Sequence, residues 1–169
     1  MTGMPWFESS AVRAWCTGLS GLVCDRFAST MVSIVPVSEK LLIGGDLNNH
    51  MGATNVGFER VHGGFGYGSR SQEGEDVLNF ALAYDLLIAN ILFRKRESHL
   101  VTFRSGQHSS QIDFILARRE DRQNCLDSRV IPGECVVPQH KLVVPDFHFS
   151  GTCSLGQTCQ DYENEVVET

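Results

Sequence analysis

The chain has 169 residues, 42% of them hydrophobic and 20% charged, which is enough apolar material for one packed domain and too much for a disordered polymer. Its net charge of −6 argues against a surface that is basic throughout, as a general nucleic-acid binder would have. Four acids (Asp161, Glu163, Glu165, Glu168) lie in residues 150–169 without a Lys or Arg; removing these four charges from −6 leaves −2 on residues 1–149, so a local basic patch is not excluded.

In chain order, residues 1–24 show no clear period and no element is assigned to them. From Asp25 to Val35, Phe27, Met31, Ile34 and Val35 recur at the spacing of a short amphipathic helix, stopped by Pro36. Leu41–Ile43 is a compact apolar run closed by Gly44–Gly45, the pattern of a buried strand entering a turn. Residues 44–74 hold nine glycines, densest in His62–Ser69, and read as one long loop. It lacks the G-x-x-x-x-G-K-[ST] pattern of a nucleotide-binding loop.

Val77, Leu78, Ala81, Leu82 and Leu86 predict a helix over Glu75–Tyr84, with Glu73, Glu75 and Asp76 at its start, where the helix dipole favours acids. Four strands are predicted after it, over Leu87–Phe93, Leu100–Arg104, Gln111–Ala117 and Lys141–Phe149. A strand, a long loop, a helix and then several strands describe an α/β layered domain with a mixed sheet. The tail from Ser150 is small, polar and acidic, the composition of a disordered segment.

Six cysteines occur without a C-x-x-C pair, the N-terminus lacks the apolar run of a signal peptide, and no stretch is long enough to span a membrane. A reduced, intracellular protein, nuclear or cytoplasmic, is the expectation.

Three places could carry chemistry. Asp46 and Asn48 lie just past an apolar strand, where a carboxylate can accept a proton from water and a carboxamide can bond a phosphate oxygen; G-D-x-N is equally good turn chemistry. Asp113 interrupts an apolar strand and needs either a histidine partner or backbone donors. His140 sits at the mouth of the last strand, as a catalytic or a structural group. The other histidines (His50, His62, His99, His108, His148) have loop or surface settings. Arg94–Lys95–Arg96 and Arg118–Arg119 are short basic clusters that are either solvated or able to meet a phosphate backbone.

The order of these motifs is more specific than any one of them. GGDLN (Gly44–Asn48), Glu73–Phe80 as E-G-x-x-x-L-x-F, Leu86–Asn90 as L-x-x-A-N, Thr102–Phe103, Ser110–Phe114 and Gln139–His140 together resemble the endonuclease domain of RTE-type non-LTR retrotransposons, within the endonuclease/exonuclease/phosphatase superfamily. The likeness runs over residues 25–149, leaving 1–24 and 150–169 outside it. It implies a four-layer α/β sandwich with flanking helices, Mg²⁺ as cofactor, and DNA as the phosphodiester substrate. It maps activation of the attacking water to Asp46, support of the Asp, water or phosphate to Asn48, and orientation of the late histidine to Asp113. His140 would stabilise charge on the phosphate.

The sequence also departs from the family. Where the family has S-D-H, this chain has Pro138–Gln139–His140, so Gln139 and Asp46 are the nearest metal candidates. The family opens with an Asn-bearing strand and a Q-E-T motif whose Glu is the main metal ligand; residues 1–24 contain neither. The expectation is therefore half of the sandwich, with little activity by itself unless paired with a separate N-terminal half. Two other functions remain in play: a non-catalytic remnant that binds nucleic acid weakly, and an inositol-polyphosphate-type phosphatase. The latter shares GDLN but continues with an aromatic and an Arg, where this chain has Asn49 and His50.

Overall fold

A computed structural model describes residues 15–16, 29–30 and 32–148. The expected N-terminal segment is thus described only at two residues, and the acidic tail lies outside the described residues. The described residues form eight strands in two four-stranded sheets. The strands are β1 (Trp15–Cys16), β2 (Leu42–Asp46), β3 (Leu86–Ile88), β4 (Phe103–Ser105), β5 (His108–Ser110), β6 (Asp113–Arg118), β7 (Cys125–Val137) and β8 (His140–Phe147). The first sheet has the order β1-β2-β6-β3 and the second β5-β4-β8-β7. β1 runs parallel to β2 and every other pairing is antiparallel, so the first sheet is mixed, as expected.

A helix, α1 (Gln72–Ala83), covers the outer face of the first sheet. Leu78 and Ala81 of α1 pack with Ile43 of β2, Leu86 and Ile88 of β3, and Phe114 and Leu116 of β6. The strand period of two sends the alternate residues the other way. Leu87, Ile115 and Ala117 therefore meet Cys125, Val143 and Phe147 of the second sheet in a second core. The described layers are helix, sheet and sheet, which is the mixed α/β architecture expected. Burial pushes the Cys125 thiol up to about 11, so at neutral pH it serves as a core hydrophobe.

Helix α1 begins three residues before the predicted start because Ser71 caps it, its hydroxyl accepting the Gly74 N–H at 3.1 Å. Leu87–Phe93 was expected as one strand, but β3 ends at Ile88 and a 3₁₀ turn, Ala89–Ile91, follows. Three strands escaped the periodicity: the two-residue β1, β5 and the 13-residue β7. β7 lies at the edge of its sheet, carries Pro132 and Gly133, and shifts register between Val130 and Cys135, so no clean alternation survives in it.

The helical pattern over 25–35 is described only in part, with 29–30 and 32–34 helical. The basic clusters are largely committed to structure. Arg118 is buried with Nη2 donating to the Val35 carbonyl at 2.6 Å, and Arg119 makes a two-pronged bond to Asp85. Lys95 sits 3.1 Å from Asp127 and over the Phe93 ring. No helix among the described residues is long and apolar enough to cross a membrane.

The glycine-rich segment is ordered by two side chains. His62, 1% exposed, is bracketed by the Gly52 carbonyl at 3.1 Å from Nε2 and the Gly64 N–H at 2.8 Å from Nδ1. That pairing fits the neutral ring, with Nε2–H donating and Nδ1 accepting. His62 thus has the loop setting expected for it but is buried there, because the flanking glycines let the chain wrap round it. Arg70 donates to the carbonyls of Met51, Thr54 and Val56 and stacks its guanidinium over Phe58.

Burial, its largest cause, holds the His62 pKa below the usual value near 6.5. The unfolded chain then binds this proton at a higher pH than the folded one, so stability is lost as pH falls from about 6.5 toward the depressed folded value. Urea unfolding at several pH values should show that loss, and His62→Gln should flatten it.

Gly74, in the first turn of α1, is buried against the His50 carbonyl, and a Cβ there would lie inside that oxygen's van der Waals shell. Both partners are backbone, so neither can swing away. Gly74→Ala should cost about 2–3 kcal/mol, against the usual helix preference for Ala. A thermal melt should record this as a fall in Tm of roughly 6–10 °C.

Candidate active site

Asp46 ends β2 and Asp113 begins β6, and the two are register partners. The Leu47 N–H donates to the Ile112 carbonyl at 2.9 Å, so the Leu47/Ile112 rung is hydrogen-bonded and the Asp46/Asp113 rung is the open kind. Side chains across an open rung approach closest, about 4.5 Å between Cα atoms. Strand alternation places both carboxylates on the inter-sheet face with Ile115 and Ala117, at the rim where that core meets solvent. The sequence thus sends two acids to one mouth.

His140 reaches this mouth from the second sheet. It is the first residue of β8, register partner of Phe103, and the two rings meet edge to face with centroids 4.9 Å apart. Its Nδ1 lies 3.2 Å from both carboxylate oxygens of Asp113, and both side chains are about four-fifths buried. An ionised carboxylate only accepts, so Nδ1–H is the donor and Nε2 is left for another partner. The histidine expected to partner Asp113 is therefore the one that does.

The Asp113 carboxyl titrates above its usual range, chiefly because burial disfavours its charge. A hydrogen bond from Thr102 and the nearby His140 pull it down, while the negative charge of Asp46 pushes it up further.

Two residues that pattern reading assigned no role hold this pair in place. Thr102, fully buried, joins the sheets: its N–H donates to the Ser110 carbonyl and its own carbonyl accepts from Lys141. Its hydroxyl accepts the N–H groups of Ile112 and Asp113 at 3.0 and 3.1 Å. Asn90, 2% exposed, donates Nδ2–H to the Asp113 carbonyl at 2.9 Å and accepts the Ile115 N–H at 3.2 Å. A carboxamide carries the donor and acceptor of a peptide group, so Asn90 supplies the rung that β3 would have made had it continued. Both lay inside motifs already visible, T-F and L-x-x-A-N; their burial was the missing signal.

Asn48 stands beside the acids on exposed backbone with φ of 52°, and its N–H donates to Asp46 Oδ1 at 2.9 Å. Asp46 and Asn48 are therefore a turn as well as neighbours of the site: the Asx bond aims the carboxylate. Gln139 lies further out, exposed, with Nε2 donating to Ser105 Oγ at 3.0 Å.

As an acceptor for a divalent cation these residues are incomplete. Among the described residues no group of three or more His, Cys, Asp or Glu side chains converges. Asp46 is a hard oxygen donor, Asp113 is engaged by Thr102 and His140, and the Gln139 amide faces Ser105. A Mg²⁺ ion needs several hard oxygens in near-octahedral array, which this set does not provide.

No protein-family model matches the chain. The fold is that of an endonuclease domain: the chain superposes on the solved endonuclease domain of TRAS1, a telomere-specific non-LTR retrotransposon, with a TM-score of 0.50 and 17% identity. The match covers 76% of this chain and 52% of that one. In sequence the chain is 30% identical over 119 residues to craniofacial development protein 2 of Tragulus javanicus. That match covers 69% of the chain, which spans only 20% of the relative's length. The chain thus shares the fold of that endonuclease domain and is similar in sequence to a stretch of craniofacial development protein 2.

Proposed function

We propose that the chain is a nuclease-type phosphodiesterase derived from a retrotransposon endonuclease, with DNA as its substrate. The observation that carries this reading is the convergence of Asp46, Asp113 and His140 from two sheets at one open rim. Asp46 is the base that accepts a proton from the attacking water, held in aim by the Asn48 N–H. The Asn48 side chain, on the exposed turn, donates to a phosphate oxygen. Asp113 fixes His140 with Nδ1–H inward, and the His140 edge bearing Nε2 faces the phosphate, where it stabilises charge as the bond to the leaving oxygen breaks.

Mg²⁺ dependence, which the likeness implies, would need oxygen donors beyond the described set, and it makes the rate of this chain low until such donors are supplied.

The test is a substrate comparison. Purified chain with Mg²⁺ should nick supercoiled plasmid DNA and leave a soluble phosphoinositide head group intact. Hydrolysis of the head group alone would replace the nuclease by a phosphatase. Cleavage of neither, with DNA still bound, would make the chain a non-catalytic remnant.

A further inference from the structure

The turn that delivers His140 has a backbone its sequence does not favour. Pro138 and Gln139 form the turn between β7 and β8, and Gln139 has φ of 76°. Pro followed by a left-handed residue is the order of a type II turn, whose second central position favours Gly or Asn. A glutamine there carries Cβ strain that glycine would avoid. Strain of this kind next to a site persists only where the surroundings hold it.

The surroundings here are specific. The Gln139 carbonyl accepts the Arg104 N–H at 2.9 Å, continuing the β4–β8 ladder one step beyond the Phe103/His140 rung. The Gln139 side chain folds back along the same strand, and Nε2 donates to Ser105 Oγ at 3.0 Å. Main chain and side chain of one residue thus grip two successive residues of β4. The next residue along the chain is the histidine whose ring must meet Asp113 from the opposite sheet. A glycine would make the same turn, but without the second grip.

We infer that Gln139 is a positioning residue: its carboxamide, latched to Ser105, fixes the turn so that His140 keeps Nδ1–H on Asp113. The inference rests on the role proposed for His140. It explains why the position after Pro138 holds a long amide although its backbone suits glycine. It also assigns that amide a task other than holding a metal.

The test reads the imidazole directly. In ¹⁵N-labelled full-length chain at a pH of about 8, where histidine is ordinarily neutral, the ring nitrogens of His140 report which one carries the proton. Gln139→Gly and Ser105→Ala should both shift the ring from the Nδ1–H form toward the mixture of a free histidine. Ser105→Thr, which keeps the hydroxyl, should restore it. On DNA, both disrupting variants should lower kcat roughly tenfold with KM within about twofold, the signature of misplacement rather than lost binding.

If Gln139→Gly fails to fold, Ser105→Ala, which removes a single hydroxyl oxygen, decides alone. A wild-type ring tautomer and kcat in Ser105→Ala would overturn the latch. Shifted tautomers with no cleavage by any form would leave the latch standing and remove the nuclease reading. Equal cleavage by all forms with an unmoved ring would do the reverse.

Discussion

Asp46→Ala should lower the rate of DNA nicking by about 10³-fold, the range expected when a positioned general base is removed. The same change should barely affect folding. Asp46 is half-exposed, and the bond it loses is a single one, to the Asn48 N–H, worth on the order of 0.5–1 kcal/mol. Part of that loss is returned, because Asp46 is a negative charge that pushes up the Asp113 carboxyl across the open rung. With Asp46 gone, Asp113 should titrate closer to the ordinary carboxylate range, a change that ¹³C-detected titration would follow. A loss of activity combined with a downward shift at Asp113 is what a base facing a second acid predicts. A turn residue with no part in the chemistry would give the shift alone.

The second large effect is at the Asp113–His140 pair. Asp113→Asn should cut the rate by roughly 10²–10³-fold, since the amide neither favours Nδ1–H on His140 nor supports its positive charge. Stability should move the other way. Burial raises the Asp113 pKa, so the folded chain keeps this proton to a higher pH than the unfolded chain does. The resulting destabilisation appears as pH rises from about 3.8 through the raised value and is fully present at neutral pH. The isosteric amide removes that cost while keeping an acceptor for Thr102. Asp113→Asn should therefore melt at or above the wild-type temperature at pH 7 while losing activity. In the wild type, the acid limb of the rate profile should lie above 3.8, because the pair works only once Asp113 is ionised.

Much of this site was legible in the sequence because strand chemistry is local. The apolar run Leu41–Ile43 before Gly44–Gly45, and the run Gln111–Ala117 around Asp113, marked two strands and the end of the first at which Asp46 appears, whereas Asp113, read as interrupting its strand, begins it. What no pattern could give was that β2 and β6 are neighbours in an antiparallel register that sets Asp46 opposite Asp113. That depends on which strands pair, a property of the whole sheet. Asn90 and Thr102 were hidden for a related reason. Each replaces a backbone rung by a side chain, so a periodicity reading sees a strand continuing where the structure shows a break stitched by hydrogen bonds.

His62 shows a different limit. In sequence it is a polar residue among glycines, the profile of an exposed loop, yet the glycines permit backbone to approach closely enough to bury it. The long edge strand β7 was lost for the opposite reason. A strand at a sheet edge with a proline, a glycine and a register shift need not alternate, because only one side of its ladder is paired.

In the proposed reaction Asp113 acts through His140 on a phosphodiester, and a double-mutant cycle on DNA nicking separates that coupled pair from two independent residues. Rates would be measured for the wild type, Asp113→Asn, His140→Ala and the double variant under identical Mg²⁺ and salt. Two residues working as one unit predict a double variant no slower than about threefold below the worse single variant. Full multiplication of the two losses would contradict the account, as would a wild-type rate no greater than that of His140→Ala.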